Sequence, residues 1–141
     1  MSERQPLLET VDCVSFYTDS LDRGIAFYGG ALGLRLLWRA KDSCGLGLRE
    51  GATELVLVER RNPAANFKVA SVEKALPAFL AAGGALEYGP FDIDIGRCAV
   101  VADPFGNRFC LLDMTKGVYA TDADARVTGL QPAPPPNDAS V

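Results

Sequence analysis

The chain has 141 residues, of which 48% are hydrophobic and 23% are charged, and its formal net charge is −4. This acidic balance disfavours nucleic acids and anionic membranes as partners, because both attract basic surfaces. No apolar run approaches the roughly 18 residues that span a bilayer, and the first residues lack the layout of a signal peptide. We therefore expect a cytoplasmic protein made of one domain or of two tightly packed halves, with no nucleic-acid or membrane partner.

The chain contains four cysteines and no histidine. The absence of histidine removes the commonest metal ligand and the side chain that titrates most readily near neutral pH. The cysteines show no CxxC spacing and are predicted to be reduced thiols rather than a disulfide framework. Any catalysis would therefore use carboxylate, thiol, tyrosine, lysine or backbone groups.

The first module is predicted over residues 10–59, after an N-terminal arm at residues 1–9. It begins with an alternating strand at residues 10–18, and Ser20 is the expected N-cap of the helix that follows. The apolar face of this helix recurs at helical spacing: Leu21, Ile25, Tyr28 and Leu32. Three strands are predicted after the helix, over residues 34–40, 44–49 and 53–59.

The second module is predicted over residues 64–113, because residues 70–87 repeat residues 19–36 without a gap, an offset of 51 residues (70 minus 19). Ser71 takes the place of Ser20 as the helix N-cap. The helix is expected to bury Val72, Leu76 and Phe79 and to end at Gly83-Gly84. One strand precedes it at residues 64–69. Three strands follow it, at residues 85–89, 97–102 and 107–113.

The order βαβββ–βαβββ predicts an α+β fold in which two small curved mixed sheets enclose a cleft and the helices lie on the outer face. Residues 114–129 form a C-terminal extension that we expect to pack over the cleft mouth or across a dimer partner. Residues 130–141 are rich in proline and are expected to form a flexible or extended tail.

The chain resembles the vicinal oxygen chelate superfamily over residues 10–118. The resemblance is carried by these segments: FYGGALGL (27–34), LAAGG (80–84), GPFDI (89–93), GR (96–97) and DPFGN (103–107). That superfamily includes glyoxalase I, bleomycin-binding resistance proteins and extradiol dioxygenases. The resemblance implies paired βαβββ modules, commonly in a homodimer. It also implies that enzymes of the group hold one divalent metal with His and Glu from the first and last strand of each module.

The resemblance places those four ligand positions at Cys13, Glu54, Ala64 and Cys110. Strand alternation fits this assignment, although a shift of two residues at Glu54 is also compatible with it. Two histidines are replaced, and alanine cannot coordinate a metal. We therefore expect no cofactor, while a zinc site made by Cys13, Glu54 and Cys110 is the alternative.

Further cleft candidates follow from strand alternation and from the repeat: Ser15, Tyr17, Asn66 and Lys68. Together with Glu54 they would give a few polar groups among apolar walls, as is usual for a small-molecule pocket. Tyr17 could instead pack, and Lys68 could extend into solvent. Trp38, the only tryptophan, could be a stacking wall for a flat ligand, a core residue or a dimer contact. Phe91 is expected on a loop beside the cleft.

Three functions are compatible with these residues. The first is metal-free binding of a small, largely apolar or aromatic molecule in the cleft between the modules. The second is a metal-dependent lyase or dioxygenase with an atypical Cys/Glu site. The third is a metal-independent enzyme that uses Tyr17, Glu54 or Lys68 as acid or base.

Overall fold

The computed structural model describes residues 5–133. The predictions for the first four residues of the arm and for residues 134–141 of the tail lie outside this range. Within residues 5–133 there are two α-helices, α1 (Leu21–Ile25) and α2 (Val72–Ala81), and a π-helix (Ala26–Ala31) continues α1. The strands, numbered β1 to β10 in chain order, are Thr10–Tyr17, Arg35–Arg39, Ser43–Gly47, Glu54–Val58, Ala65–Lys68, Ala85–Ile93, Gly96–Ala102, Arg108–Leu112, Val118–Thr121 and Val127–Gln131. No helix of the described part is long and apolar enough to cross a membrane.

Eight strands form one mixed sheet in the order β2-β3-β4-β1-β5-β8-β7-β6. The α+β class with a curved mixed sheet is confirmed, but the expected pair of separate sheets is replaced by one continuous sheet. The reason is an antiparallel ladder between β1 and β5, in which Cys13 is opposite Asn66. Each of these strands also pairs in parallel with the last strand of its own half, β1 with β4 and β5 with β8.

The helices lie on the outer face of the sheet, as predicted. Leu21 packs with Leu55 and Leu57, while Val72 and Leu76 pack with core residues of β7 and β8. These contacts bury alternate residues of each strand, and the intervening residues face the other side. The inner face of the sheet is therefore free to line a cavity.

Both predicted N-caps are present. The Ser20 hydroxyl accepts a hydrogen bond from the Arg23 amide, and the Ser71 hydroxyl accepts one from the Lys74 amide. Each helix also receives a carboxylate from the end of its own half: Glu59 accepts from the Leu21 amide at 3.2 Å, and Asp113 accepts from the Val72 amide at 2.8 Å. The two halves therefore share not only a repeated sequence but also the same contact between a late carboxylate and the N-terminus of the helix.

The first helix differs from the prediction in its second half. The backbone widens to a π-helix, and the Leu32 amide bonds to the Phe27 carbonyl, five residues earlier. Ile25 and Tyr28 still pack against the core, but Leu32 is 56% exposed. The wider turn moves Leu32 off the face that the 3.6-residue period predicts.

Two segments near the C-terminus also differ from the prediction. The strand predicted at residues 85–89 continues to Ile93, so Phe91 lies on β6 and not on a loop. In the extension, β9 and β10 pair as an antiparallel hairpin, and β10 includes Leu130 and Gln131, so the predicted tail begins with strand residues. The Arg39 amide donates to the Ala125 carbonyl at 2.8 Å, which joins this hairpin to β2.

Candidate functional site

A cavity of about 960 Å³ lies on the inner face of the sheet. Its lining includes residues from both halves of the chain and from the C-terminal hairpin. Six of the eight predicted cleft residues line it: Cys13, Ser15, Trp38, Glu54, Asn66 and Cys110. Because β1 and β5 are neighbours in one chain, a single chain supplies both halves of this cavity.

Tyr17 and Lys68 lie away from the cavity, which differs from the expectation. The Tyr17 ring is 46% exposed and packs beneath the Arg61 guanidinium, 4.3 Å from the ring centroid. The Lys68 ammonium forms an ion pair with Glu9 at 2.7 Å. Both residues lie at the ends of their strands, where the chain has moved beyond the cavity floor.

The centre of the floor is a polar contact between the two halves. Asn66 Nδ2 donates to Ser15 Oγ at 3.0 Å and to the Ala64 carbonyl at 3.1 Å. Ala64 itself is exposed and contributes its backbone, since its carbonyl also accepts from the Ser15 amide at 2.7 Å. The Asn66 and Ser15 side chains are buried and hydrogen-bonded, so they hold β1 and β5 in register beneath the cavity.

Trp38 and Glu54 form one unit on the wall. Trp38 Nε1 donates to Glu54 Oε1 at 2.7 Å. The indole lies over Gly45, where a Cβ would overlap Nε1 and would be 2.7 Å from Glu54 Oε1. Only glycine at position 45 therefore leaves room for this hydrogen bond. Burial raises the pKa of Glu54, the Trp38 bond lowers it and the charge of Asp12 raises it, with a net increase.

Asp12 joins the cavity lining through an irregularity in β1. The β1–β5 register shifts between Val11 and Cys13, which are paired on either side of Asp12. Such a bulge breaks strict alternation, and both Asp12 and Cys13 line the cavity. Burial raises the pKa of Asp12, against smaller opposing effects of Cys13 and Lys68.

Three buried thiols line the cavity: Cys13, Cys98 and Cys110. Burial, reinforced by the charge of Asp12, raises the pKa of Cys13 to about 12. The neighbouring Cys110 thiol and burial both raise the pKa of Cys98. Neither Cys13 nor Cys98 is therefore activated as a nucleophile at neutral pH, because the thiolate is the reactive form.

The C-terminal hairpin closes one side of the cavity with Tyr119. Its ring contacts that of Trp38, with centroids 4.8 Å apart, and its hydroxyl donates to Asp94 Oδ2 at 3.2 Å. Burial and the charge of Asp94 raise the pKa of Tyr119 to about 12, so the hydroxyl stays protonated. A chain of contacts thus runs from Glu54 through Trp38 and Tyr119 to Asp94, and it links the two halves across the cavity.

The donor atoms present do not fit the divalent metal that the resemblance implies. Among residues 5–133, no three His, Cys, Asp or Glu side chains are grouped so that they could hold one ion. Ala64 has no donor atom in its side chain, Glu54 Oε1 already accepts from Trp38, and Cys13 is a protonated thiol.

The strand register shows which residues of the two halves are structurally equivalent. In the second half Asn66 is opposite Cys110, and in the first half its repeat equivalent, Ser15, is opposite Val56. By this register, the residue equivalent to Cys110 is Val56, and Glu54 lies two residues earlier.

Several lining residues were not predicted from the sequence: Asp12, Tyr88, Asp94, Cys98 and Tyr119. The contact of Gly45 with Trp38 was not predicted either. Alternation along residues 97–102 could have indicated Cys98, which shares a face with Val100. Asp12 depends on a bulge, and Tyr119 lies in a segment that has no counterpart in the repeat. No local signal marks either of them.

Comparison with solved structures shows the same fold in several proteins at low identity. Methylmalonyl-CoA epimerase from Mycobacterium tuberculosis is 17% identical, with a TM-score of 0.63 over 79% of this chain and 92% of that chain. The Streptomyces coelicolor methylmalonyl-CoA epimerase in complex with 2-nitronate-propionyl-CoA is 18% identical (TM-score 0.63; 77% of this chain and 99% of that chain). Homoprotocatechuate 2,3-dioxygenase from Brevibacterium fuscum is 23% identical (TM-score 0.58), over 80% of this chain but 39% of its own.

No curated protein sequence matches this chain significantly. Residues 10–111, by contrast, match the family model described as the Glyoxalase/Bleomycin resistance protein/Dioxygenase superfamily. The match covers both halves of the sheet, from the start of β1 to the penultimate residue of β8. The chain therefore belongs to the glyoxalase/bleomycin resistance protein/dioxygenase superfamily.

Proposed function

We propose that this protein binds a small, flat, largely aromatic molecule in the cavity, without a bound metal. The observation that carries the proposal is the lining itself. A cavity of about 960 Å³ combines aromatic and aliphatic walls with oriented polar groups, as ligand sites do. The buried floor is already hydrogen-bonded between Ser15 and Asn66, so binding requires no rearrangement there.

The donor set supports the metal-free part of the proposal. Zinc needs deprotonated thiols, and the pKa of Cys13 is raised to about 12. Glu54, the carboxylate among the four predicted ligand positions, accepts a hydrogen bond from Trp38. The superfamily neighbours named above therefore share the fold with this chain, while its own side chains favour binding through packing and hydrogen bonds.

Trp38 provides a direct test, because it is the only tryptophan and lines the cavity. Titration of the purified protein with a panel of two- and three-ring aromatic compounds should change its fluorescence saturably for at least one compound. Calorimetry on Trp38→Ala should then show weaker binding of that compound, whereas Tyr17→Ala, which lies outside the cavity, should bind it normally. Binding that is unaffected by Trp38→Ala would place the ligand elsewhere and contradict the proposal.

Metal content separates this function from a metal-dependent enzyme. Mass spectrometry is applied to untagged protein before and after incubation with zinc, nickel, manganese and iron(II). We expect only trace metal in each sample. Near-stoichiometric metal that is lost in Cys13→Ser or Glu54→Ala would overturn the metal-free proposal.

A second candidate is a metal-independent enzyme, and of the three residues predicted as its acid or base only Glu54 lies in the cavity. Burial raises the pKa of Glu54 and its carboxyl lies in the cavity, where a general acid or base could reach a bound ligand. Tyr17 and Lys68 lie outside the cavity, so they do not contribute to this candidate. Turnover of a bound ligand that is lost in Glu54→Gln, with binding retained, would favour the enzyme over a binding protein.

A further inference from the structure

Four aromatic side chains line the cavity: Trp38, Tyr88, Phe91 and Tyr119. Tyr88 and Phe91 are also in contact with each other, with ring centroids 5.2 Å apart. They belong to β6, whereas Trp38 belongs to β2, so aromatic rings come from both outer strands of the sheet. The face of an aromatic ring carries partial negative charge and attracts cations, tryptophan most strongly.

The charged groups of the lining are mainly acidic. Two basic residues, Lys41 and Arg60, face five carboxylates: Asp12, Asp42, Glu54, Asp92 and Asp94. Two of these carboxylates are compensated by ion pairs, Asp42 by Arg60 at 3.4 Å and Asp92 by Arg97 and Lys116 at 3.2 and 3.1 Å. Within residues 5–133, the other three carboxylates have no basic group within ion-pair distance.

Two of these uncompensated carboxylates are oriented by the aromatic residues themselves. Trp38 donates to Glu54 and Tyr119 donates to Asp94, and the two donor rings are in contact. These donors are neutral, so they fix the carboxylates in position without cancelling their charge. The cavity thus combines aromatic faces with two positioned negative charges at its wall.

We propose that the ligand class of this cavity is a flat organic cation, such as an aromatic molecule with a quaternary or protonated nitrogen. This inference rests on the proposed function and adds the charge of the ligand to it. Cation–π attraction and uncompensated carboxylates favour a positive charge, while the aromatic walls favour a planar body. A carboxylate ligand would be repelled by the same groups. Arg60 is already paired with Asp42, and Lys41, the other basic residue of the lining, is exposed to solvent, which weakens its attraction for an anion.

Three probes of similar size and different charge test the proposal: 1-methylquinolinium, 1-methylnaphthalene and 1-naphthoate. Calorimetric titration of the full chain should show that the quinolinium cation binds at least about tenfold more tightly than the neutral compound. The naphthoate anion should bind most weakly. Raising the salt concentration should weaken binding of the cation and leave the neutral compound unaffected.

Substitutions test whether the carboxylates of Glu54 and Asp94 attract the cation. Glu54→Gln and Asp94→Asn keep an acceptor oxygen for Trp38 and Tyr119 but remove the negative charge. Each should reduce the affinity for 1-methylquinolinium several-fold and reduce the affinity for 1-methylnaphthalene by a clearly smaller factor. Glu50→Gln is the matched control, because Glu50 is exposed and lies outside the cavity lining. Circular dichroism on each variant verifies the fold.

The outcomes distinguish this inference from the function on which it rests. Equal or tighter binding of the neutral or anionic probe would overturn the cation proposal and leave the aromatic site standing. Binding of the cation that is unchanged in both variants and in high salt would also overturn it. Failure of all three probes to bind at millimolar concentration would contradict both proposals.

Discussion

Asp113 is a buried carboxylate that bonds to three separate segments of the second half. It is 1% exposed, yet its carboxylate accepts hydrogen bonds from the amides of Val72, Arg97 and Thr115 and from the Thr115 hydroxyl. Burial raises the pKa of Asp113, but these four donors outweigh it and leave the pKa lowered. The charged form is therefore favoured by the folded state.

Asp113→Asn should lower the free energy of unfolding by about 2 kcal/mol at pH 7, because bonds to a charged acceptor are lost. The folded-state pKa is lower than the unfolded one, so the stabilisation is present above about pH 4 and is lost as pH falls through the folded value. Urea unfolding at pH 7 and pH 3 measures the free energy of unfolding of wild type and variant. The difference between the two proteins should be smaller at pH 3 than at pH 7.

Glu59→Gln is the matched control, since Glu59 makes the equivalent contact to Leu21 from an exposed position. Its effect should be below that of Asp113→Asn. If the two variants lower the free energy of unfolding equally, the buried position of Asp113 contributes no stability beyond that of an exposed carboxylate.

Gly45 is a positioning residue for the cavity wall. Gly45→Ala should displace the Trp38 indole, because the new methyl group would overlap Nε1. We expect a red shift of tryptophan emission and about tenfold weaker binding of an aromatic ligand, roughly 1.4 kcal/mol. Gly30→Ala, where a Cβ meets nothing within 4 Å, should leave both emission and binding unchanged. An unshifted Trp38 emission in Gly45→Ala would contradict the assignment.

At the scale of elements, the hairpin of β9 and β10 spans the opening of the sheet. It bonds to β2 through Ala125, and it reaches Asp94 beside β6 through Tyr119. β2 and β6 are the two edge strands of the eight-stranded sheet. The hairpin thus connects the edges of the sheet, and Tyr119 is its contact with the cavity.

Tyr119→Ala should expose Trp38 to solvent and increase quenching of its fluorescence by acrylamide. The lost ring contact is worth about 1 kcal/mol beyond simple burial. Tyr119→Phe keeps the ring and loses only the bond to Asp94, so quenching should stay close to that of wild type. If Tyr119→Ala leaves quenching unchanged, the hairpin does not cover Trp38 in solution.

At the scale of the whole molecule, the β1–β5 ladder makes the two halves one structure. Each half buries its own cluster beneath its own helix, but the sheet and the cavity are continuous between them. Units of about 50 residues bury too little surface to be stable alone, so the halves should depend on each other. The homodimer expected from the resemblance stays a prediction.

Val101→Ala tests this dependence, because Val101 is fully buried in the second half and Trp38 reports on the first. The substitution should lower stability by about 2 kcal/mol. Tryptophan fluorescence and circular dichroism should both detect one urea transition, shifted equally by the substitution. A fluorescence midpoint that stays at the wild-type value would show that the first half unfolds independently.

Much of the fold could be predicted because its signals are local. Ser20 and Ser71 mark helix starts, strand alternation assigns residues to faces, and the repeat identifies two equivalent halves. The positions of Cys13 and Cys110 on the cavity face were implied by the resemblance and agreed with the same alternation. The placement of Tyr17 in the cavity was wrong, because alternation gives the face of a strand and not how far along it a cavity extends.

Neighbouring residues are enough to specify the order of the elements from β1 to β8, the helix N-caps and the side of each strand that faces a helix. The pairing of β1 with β5, the bulge that adds Asp12 to the lining and the contact between the Tyr119 and Trp38 rings appear only in the folded chain. These contacts join residues distant in the chain. Their free energy depends on packing and hydrogen bonding in three dimensions, which no local pattern of residue types encodes.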